Sequence, residues 1–307
     1  MSFGYLVYSK SVTFLLMITL PDRLYRENFV EPFYRSASVV MLRKQISRTL
    51  PERTSYVARH VITMITAGEQ RIRAYDGETM TLRAGEMGAV RRGLYTVTDL
   101  VSDVSGFAAY LLFFDDNRLK QAFPASTSAT SASPPFYSFQ VPAYLPSFWR
   151  SVEAMHAALP DRPPLMNLKV DEFFAVLKAS EAGSTLGERL ASWTTPTPRS
   201  LRRFMEENYD KALTIEDYAY LTGRSESSFR RDFKARFGTT PRRWIIRQRL
   251  EKAERLLGDT DWNVARVAEA VGYDNVSHFI SAFKKQYQRT PGQKPVLAKS
   301  LDRKTAF

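Results

Sequence analysis

The chain has 307 residues, 44% of them hydrophobic, and no cysteine, so it can bury two cores but can form neither disulfides nor thiol chemistry. Its net charge of +12 is uneven: from Arg199 onward 23 Lys and Arg face 14 Asp and Glu, a net of +9. Charge gathered on the last third is the footprint of a polyanionic partner, and the lack of cysteine fits a reducing cytoplasm.

Residues 12–20 are apolar for nine positions and stop at Pro21-Asp22, too short to cross a bilayer. They read as a packed N-terminal strand or as an extension ahead of a start at Met17. From Phe33 to Phe114 the pattern is that of strands. Residues 57–65 are branched and apolar, residues 69–75 alternate, and Asp76-Gly77 is a hairpin signal before Met80-Thr-Leu82. Ala84-Gly-Glu86 reads as a further turn, and residues 107–114 form an unbroken apolar run suited to a strand buried on both faces. Short strands separated by turns predict a small antiparallel barrel or sandwich over residues 1–123.

Residues 124–135, rich in Ala, Ser and Thr, read as a low-complexity loop. Two amphipathic helices are expected after it, and residues 124–191 form one region with the loop. Leu145, Phe148, Trp149 and Val152 mark the first stripe, and Leu168, Phe173, Phe174 and Leu177 the second. Residues 192–198 carry Thr-Pro-Thr-Pro and read as a short stiff linker, with a domain from 199 to 295 and a tail from 296 to 307.

That last domain holds a diverged repeat. Ile215, Ala219, Leu221 and Gly223 lead to Phe229, Phe233, Phe237 and Thr240-Pro241. Val264, Ala268, Ala270 and Gly272 lead to Phe279, Phe283, Tyr287 and Thr290-Pro291. Thr214, Ser225, Asn263 and Asn275 are placed to cap helices, each glycine supplies a turn, and the aromatics recur at helical spacing. Two helix-turn-helix units about fifty residues apart, joined by a long helix from Pro241 to about Leu257, predict an all-α domain that binds double-stranded DNA. Arg230 and Arg231 must project away from the Phe229/Phe233 stripe, and an arginine there can pair with guanine. Lys284 and Lys285, late in the second unit's last helix, are placed for phosphate contact.

Catalysis finds no support in the residue pattern. The three histidines, His60, His156 and His278, lie in three regions with no paired spacing, and no phosphate-binding glycine loop occurs. Glu78 and Glu86 flank turns and read as solvated. No catalytic residue, metal ligand or cofactor is expected, and the chain reads as a non-enzyme.

Residues 199–295 resemble the DNA-binding domain of AraC/XylS-type transcription regulators. The resemblance rests on Ser228 to Gly238, Thr240-Pro241, Arg249 to Leu257, Val267 to Tyr273, and Ser277-His-Phe279 to Lys285. It implies two recognition helices in adjacent major grooves, with Glu226, Ser227, Arg230 and Arg231 facing bases in the first unit. In the second, Val276, Ser277, His278 and Ser281 hold the matching positions. The chain departs from the pattern at Ser281, where many members carry arginine, and at Tyr287-Gln288 in place of Phe-Gly, so that helix is expected to end differently. The family's N-terminal domain is cupin-like, and the whole fold is therefore expected to be α+β. The resemblance also implies RNA polymerase as a partner, no membrane, and a weak homodimer formed through the two amphipathic helices, which could instead simply cover the barrel. Residues 61–73, 107–114, 147–150 and 165–177 further resemble the ExsA/LcrF-like activators of type III secretion genes. In that subgroup a protein anti-activator acts on the N-terminal domain; the alternative is a small-molecule effector inside the barrel.

Overall fold

A computed structural model describes residues 17–75, 77–102, 106–124, 134–160, 162–180, 183–194 and 199–293. The chain divides into two compact units, Met1–Pro198 and Arg199–Phe307. Residues 12–16, Asp76, most of the 124–135 loop, the Thr-Pro-Thr-Pro stretch and the 296–307 tail lie outside the described residues.

The described residues of the first unit form eleven strands. They are β1 (Ile18–Leu20), β2 (Val30–Arg35), β3 (Val39–Ile46), β4 (Leu50–Val57), β5 (His60–Ala67) and β6 (Glu69–Ala74). Then come β7 (Thr79–Arg83), β8 (Glu86–Val90), β9 (Gly93–Leu100), β10 (Phe107–Phe114) and β11 (Phe136–Gln140). One sheet has the order β1-β4-β9-β6-β7 and the other β11-β8-β5-β10-β3-β2; β1 pairs with β4 in parallel and the other pairings are antiparallel. The run expected at 57–65 is divided in the structure. Val57 closes β4, and β5 starts at His60, whose strand is apolar because it is one of the two central strands of its sheet.

Strand β10 explains the second sheet. All eight of its residues are buried, because Phe107, Ala109, Leu111 and Phe113 face the space between the sheets while Tyr110, Leu112 and Phe114 face helices on the outer side. Those helices are α1 (Asp116–Ala122), α2 (Leu145–Ala158), α3 (Pro163–Ala179) and α4 (Gly183–Ser192). Leu145, Phe148, Trp149 and Val152 of α2, with Phe173, Phe174 and Leu177 of α3, belong to the same apolar cluster as Met41, Met64 and Leu112 of the sheet. Seven of the eight side chains expected to pair two subunits are therefore consumed inside one chain. A stripe of seven large apolar groups lowers its free energy by covering the nearest apolar sheet, and only Leu168, 64% exposed, is left outside.

The space between the sheets is filled by aliphatic and aromatic groups, among them Leu42, Ile65, Leu82, Val97 and Phe113. A polar cluster lies among them, in which Asp99 accepts from Lys44, Arg53 and, at 2.8 Å, Gln70. Burial alone would raise the Asp99 carboxyl, but the charges of Lys44 and Arg53 outweigh it and hold the group below its ordinary value.

A second buried polar group anchors the end of the unit. His60 Nδ1 accepts from the Arg92 backbone at 3.2 Å, so its Nε2 carries the proton and donates to Asp116 at 2.8 Å. Trp193 stacks on the His60 ring at 5.4 Å and on Tyr137 at 5.5 Å. Burial pushes His60 below its ordinary 6.5, with Asp116 opposing that effect and Arg91 and Arg92 adding to it. The unfolded chain therefore takes up a proton near 6.5 that the folded one refuses, and stability falls as pH drops below that value. Thermal unfolding of the full chain should show the first unit's transition flat above pH 6.5 and declining beneath it. His60→Gln should flatten the decline, and an unchanged slope would remove His60 as its source.

Candidate nucleic-acid interface

The second unit opens with α5 (Leu201–Asn208), followed by α6 (Ile215–Leu221), α7 (Glu226–Phe237), α8 (Pro241–Asp259), α9 (Val264–Ala270) and α10 (Val276–Tyr287). Each half begins from a capped helix. Thr214 accepts from the Asp217 backbone at 3.1 Å while Asp217 accepts from the Thr214 backbone at 2.9 Å, a reciprocal capping box. Ser225, Asn263 and Asn275 accept from Ser228, Arg266 and His278 backbones in turn. At the turns, Arg224 and Tyr273 backbones donate to Ala219 and Ala268 at 2.9 and 3.0 Å, so both halves bend by the same bond. The small alanine at each site leaves room for the crossing helix.

Helices α7 and α10 show one buried and one exposed face. Phe229, Phe233, Phe279 and Phe283 are fully buried. Glu226, Ser227, Arg230 and Arg231 on α7, and Val276, Ser277, His278, Ser281, Lys284 and Lys285 on α10, are all exposed. The structure thus places every one of the ten expected DNA-facing residues on the two outward helix faces. Arg230 is not idle in the unbound protein: its Nε and Nη2 donate to Glu226 Oε1 at 2.9 and 2.5 Å. This i,i+4 pair holds the guanidinium along the helix, directed toward its N-terminus. Arg231, 77% exposed, lies 3.5 Å from Asp232, which also accepts from Arg224 at 3.2 Å.

The end of α10 differs from the expectation of a changed stop. Gln288 adopts φ +56° and its backbone donates to Lys284 at 2.8 Å, as Gly238 at φ +67° does to Lys234 at 3.0 Å. The helix stops in the same way, with Gln288 in the left-handed position a glycine would take. Its side chain compensates in part by donating to the Lys285 carbonyl at 3.1 Å.

The sequence pattern assigned Arg249 no role beyond the Arg249 to Leu257 segment and gave no sign of α5. Arg249 bonds backbone carbonyls in both halves of the unit, and α5 packs Phe204 against Tyr218 at 6.5 Å. An arginine on a helix resembles a solvated one, and a helix of eight residues gives a weak periodic signal.

Two helix-turn-helix modules on one long helix, with basic outward recognition faces, define a DNA-binding transcription regulator. Residues 218–294 match a family described as a helix-turn-helix domain, and residues 60–188 match one described as the ExsA N-terminal regulatory domain. The HTH-type transcriptional regulator ExsA of Pseudomonas aeruginosa is 24% identical over 242 residues, covering 76% of this chain and 84% of that one. The virulence regulon transcriptional activator VirF of Yersinia enterocolitica and the thermoregulatory protein LcrF of Yersinia pestis are each 26% identical over 129 residues. Those matches cover 42% of this chain and 48% of each relative, so the chain spans about half their length. Residues 218–294 thus carry a helix-turn-helix DNA-binding domain and residues 60–188 a domain of the ExsA regulatory type, and the chain is similar to the ExsA and VirF/LcrF transcription regulators.

The two helix ends give a matched test. No atom lies within 4 Å of a Cβ built on Gly238, so Gly238→Gln there changes little besides the backbone preference. It should lower the stability of the second unit by about 1 kcal/mol, while Gln288→Gly raises it by roughly 0.5–1 kcal/mol. Urea midpoints that move the same way in both variants would contradict this account of the turn.

Proposed function

We propose that the chain is a sequence-specific transcriptional activator that reads two adjacent major-groove segments on one face of a duplex. The observation that carries this reading is the pair of exposed recognition helices, α7 and α10, attached to the single helix α8. Glu226, Ser227, Arg230 and Arg231 read bases in one groove, and Val276, Ser277, His278 and Ser281 read the next. Lys284 and Lys285 hold phosphates. The half-sites lie about 10 bp apart, roughly 34 Å along the axis. The domain 199–295 binds DNA, 1–123 and 124–191 form the regulatory part, and 192–198 links them. The protein works in the cytoplasm with RNA polymerase; no helix among the described residues is long and apolar enough to cross a membrane.

Control by a protein anti-activator on the first unit is favoured over a small molecule within it. The space between the sheets is already filled by Leu, Ile, Val and Phe side chains, and the buried Asp99 carboxylate is taken up by Lys44 and Arg53. The match of residues 60–188 to a regulatory domain of the ExsA type supports the same direction. A metabolite that raised the first unit's melting temperature would reverse this preference.

Self-association uses the outward side of α3 around Leu168, not the buried stripe. Leu168→Glu should shift the full chain toward monomer in sedimentation at unchanged melting temperature, since the side chain already faces solvent. A wild-type chain that stays monomeric at high concentration, alone and on DNA, would leave α3 as a cover for the sheet.

On DNA, Arg230→Ala or Arg231→Ala should narrow the gap between specific and nonspecific affinity by roughly 1–3 kcal/mol. Lys284→Ala or Lys285→Ala should weaken all sequences alike and reduce the salt dependence of binding. Competition binding checks both; arginine variants with an unaltered specificity ratio would mean α7 does not read bases.

A further inference from the structure

The two helix-turn-helix modules share α8 but have separate cores. Trp244 of α8 packs on Phe233 and Phe237 of the first module at 5.8 and 5.0 Å. Leu250 and Ala253 pack instead with Val267, Ala268, Val271, Phe279 and Phe283 of the second. Residue 249 sits at the changeover. Arg249 Nε donates to the Tyr209 carbonyl at 2.8 Å and Nη2 to the Lys211 carbonyl at 2.5 Å, both in the loop after α5. Its Nη1 donates to the Gly272 carbonyl at 2.8 Å, in the turn before the second recognition helix.

Each end of this clasp is fixed in its own module. The Tyr218 hydroxyl, from α6, donates to the Asn208 carbonyl at 2.9 Å and to Lys211 at 3.3 Å, which ties the loop to the first core. On the other side Gly272 is held by its bond to Glu269 at 3.0 Å. The loops also touch: a Cβ at Gly272 would lie 2.5 Å from the Asp210 carbonyl. One turn along α8, Lys252 bonds the Asp210 carboxylate. The helix sets the separation of the two modules, while the way each module is turned about it depends on the contacts that join them. Each added base pair turns the duplex by about 35°, so rotation decides whether α10 meets the next groove.

We propose that Arg249 is a positioning residue for DNA reading: by clamping the first module's loop to the second module's turn, it sets the half-site spacing the protein accepts. This rests on the two-groove reading above. The planar guanidinium reaches three carbonyls on two loops at once, which a lysine ammonium on a flexible stem does not reproduce.

The test uses the full chain and a duplex selected by it from a random pool, with one base pair then inserted or deleted between the half-sites. The wild type should lose roughly tenfold in affinity for either change. Arg249→Gln and Arg249→Lys should lose less than about threefold, with affinity for a single half-site retained. An arginine that merely stabilised the fold would lower the melting temperature and weaken every probe alike, leaving the tenfold penalty in place; that result overturns the proposal. Should Arg249→Gln unfold, Arg249→Lys and Lys252→Met decide the matter, and a full wild-type penalty in both overturns it. A wild type indifferent to spacing would instead remove the two-groove reading itself.

Discussion

Three backbone carbonyls, of Tyr209, Lys211 and Gly272, meet at one guanidinium, and the second unit is organised around that point. Two small helical cores, each closed by a few aromatic rings, share a single helix and have little apolar surface with which to bind each other. Carbonyls facing each other across such a junction need donors, because buried acceptors left without partners are unfavourable by about 1–3 kcal/mol each. Arg249 supplies three donors in a fixed plane, and Lys252 neutralises the adjacent Asp210. The recognition faces thus inherit a defined relation from an arginine that touches neither of them.

In the first unit the governing constraint is the sheet buried on both sides. Strand β10 packs one face into the space between the sheets and the other onto α2, α3 and α4, so the helices are part of the fold's interior. The large apolar stripes of α2 and α3 are spent on that contact. What remains at their outer side is sparse, with Leu168, Tyr144 and Leu159 exposed, which suits a weak association better than an obligate one.

The helix-turn-helix pair was legible because its signals are local: a capping side chain, an alanine, a turn glycine and aromatics at helical spacing lie within about two dozen residues. The strands from Phe33 to Phe114 were legible for the same reason, through alternation and through glycine turns. What escaped depends on partners distant in sequence. Lys44 and Asp99 look like surface residues until the two sheets bring them together 55 positions apart, and Arg249 meets Gly272 across 23. At Gln288 the missing glycine pointed to a different helix end, whereas the chain adopts the left-handed turn there despite its intrinsic cost. The helical stripes of α2 and α3 were read correctly as apolar except at the exposed Leu168, but a stripe does not say whether it covers its own sheet or a second subunit.

Hydroxyl-radical footprinting of the full chain on its selected duplex tests the central claim most directly, because it maps the contacted face without presuming which side chains make contact. A rigid pair of recognition helices predicts two protected patches on the same face, about 10 bp apart between centres. A single protected patch, or two patches on opposite faces of the duplex, would contradict it.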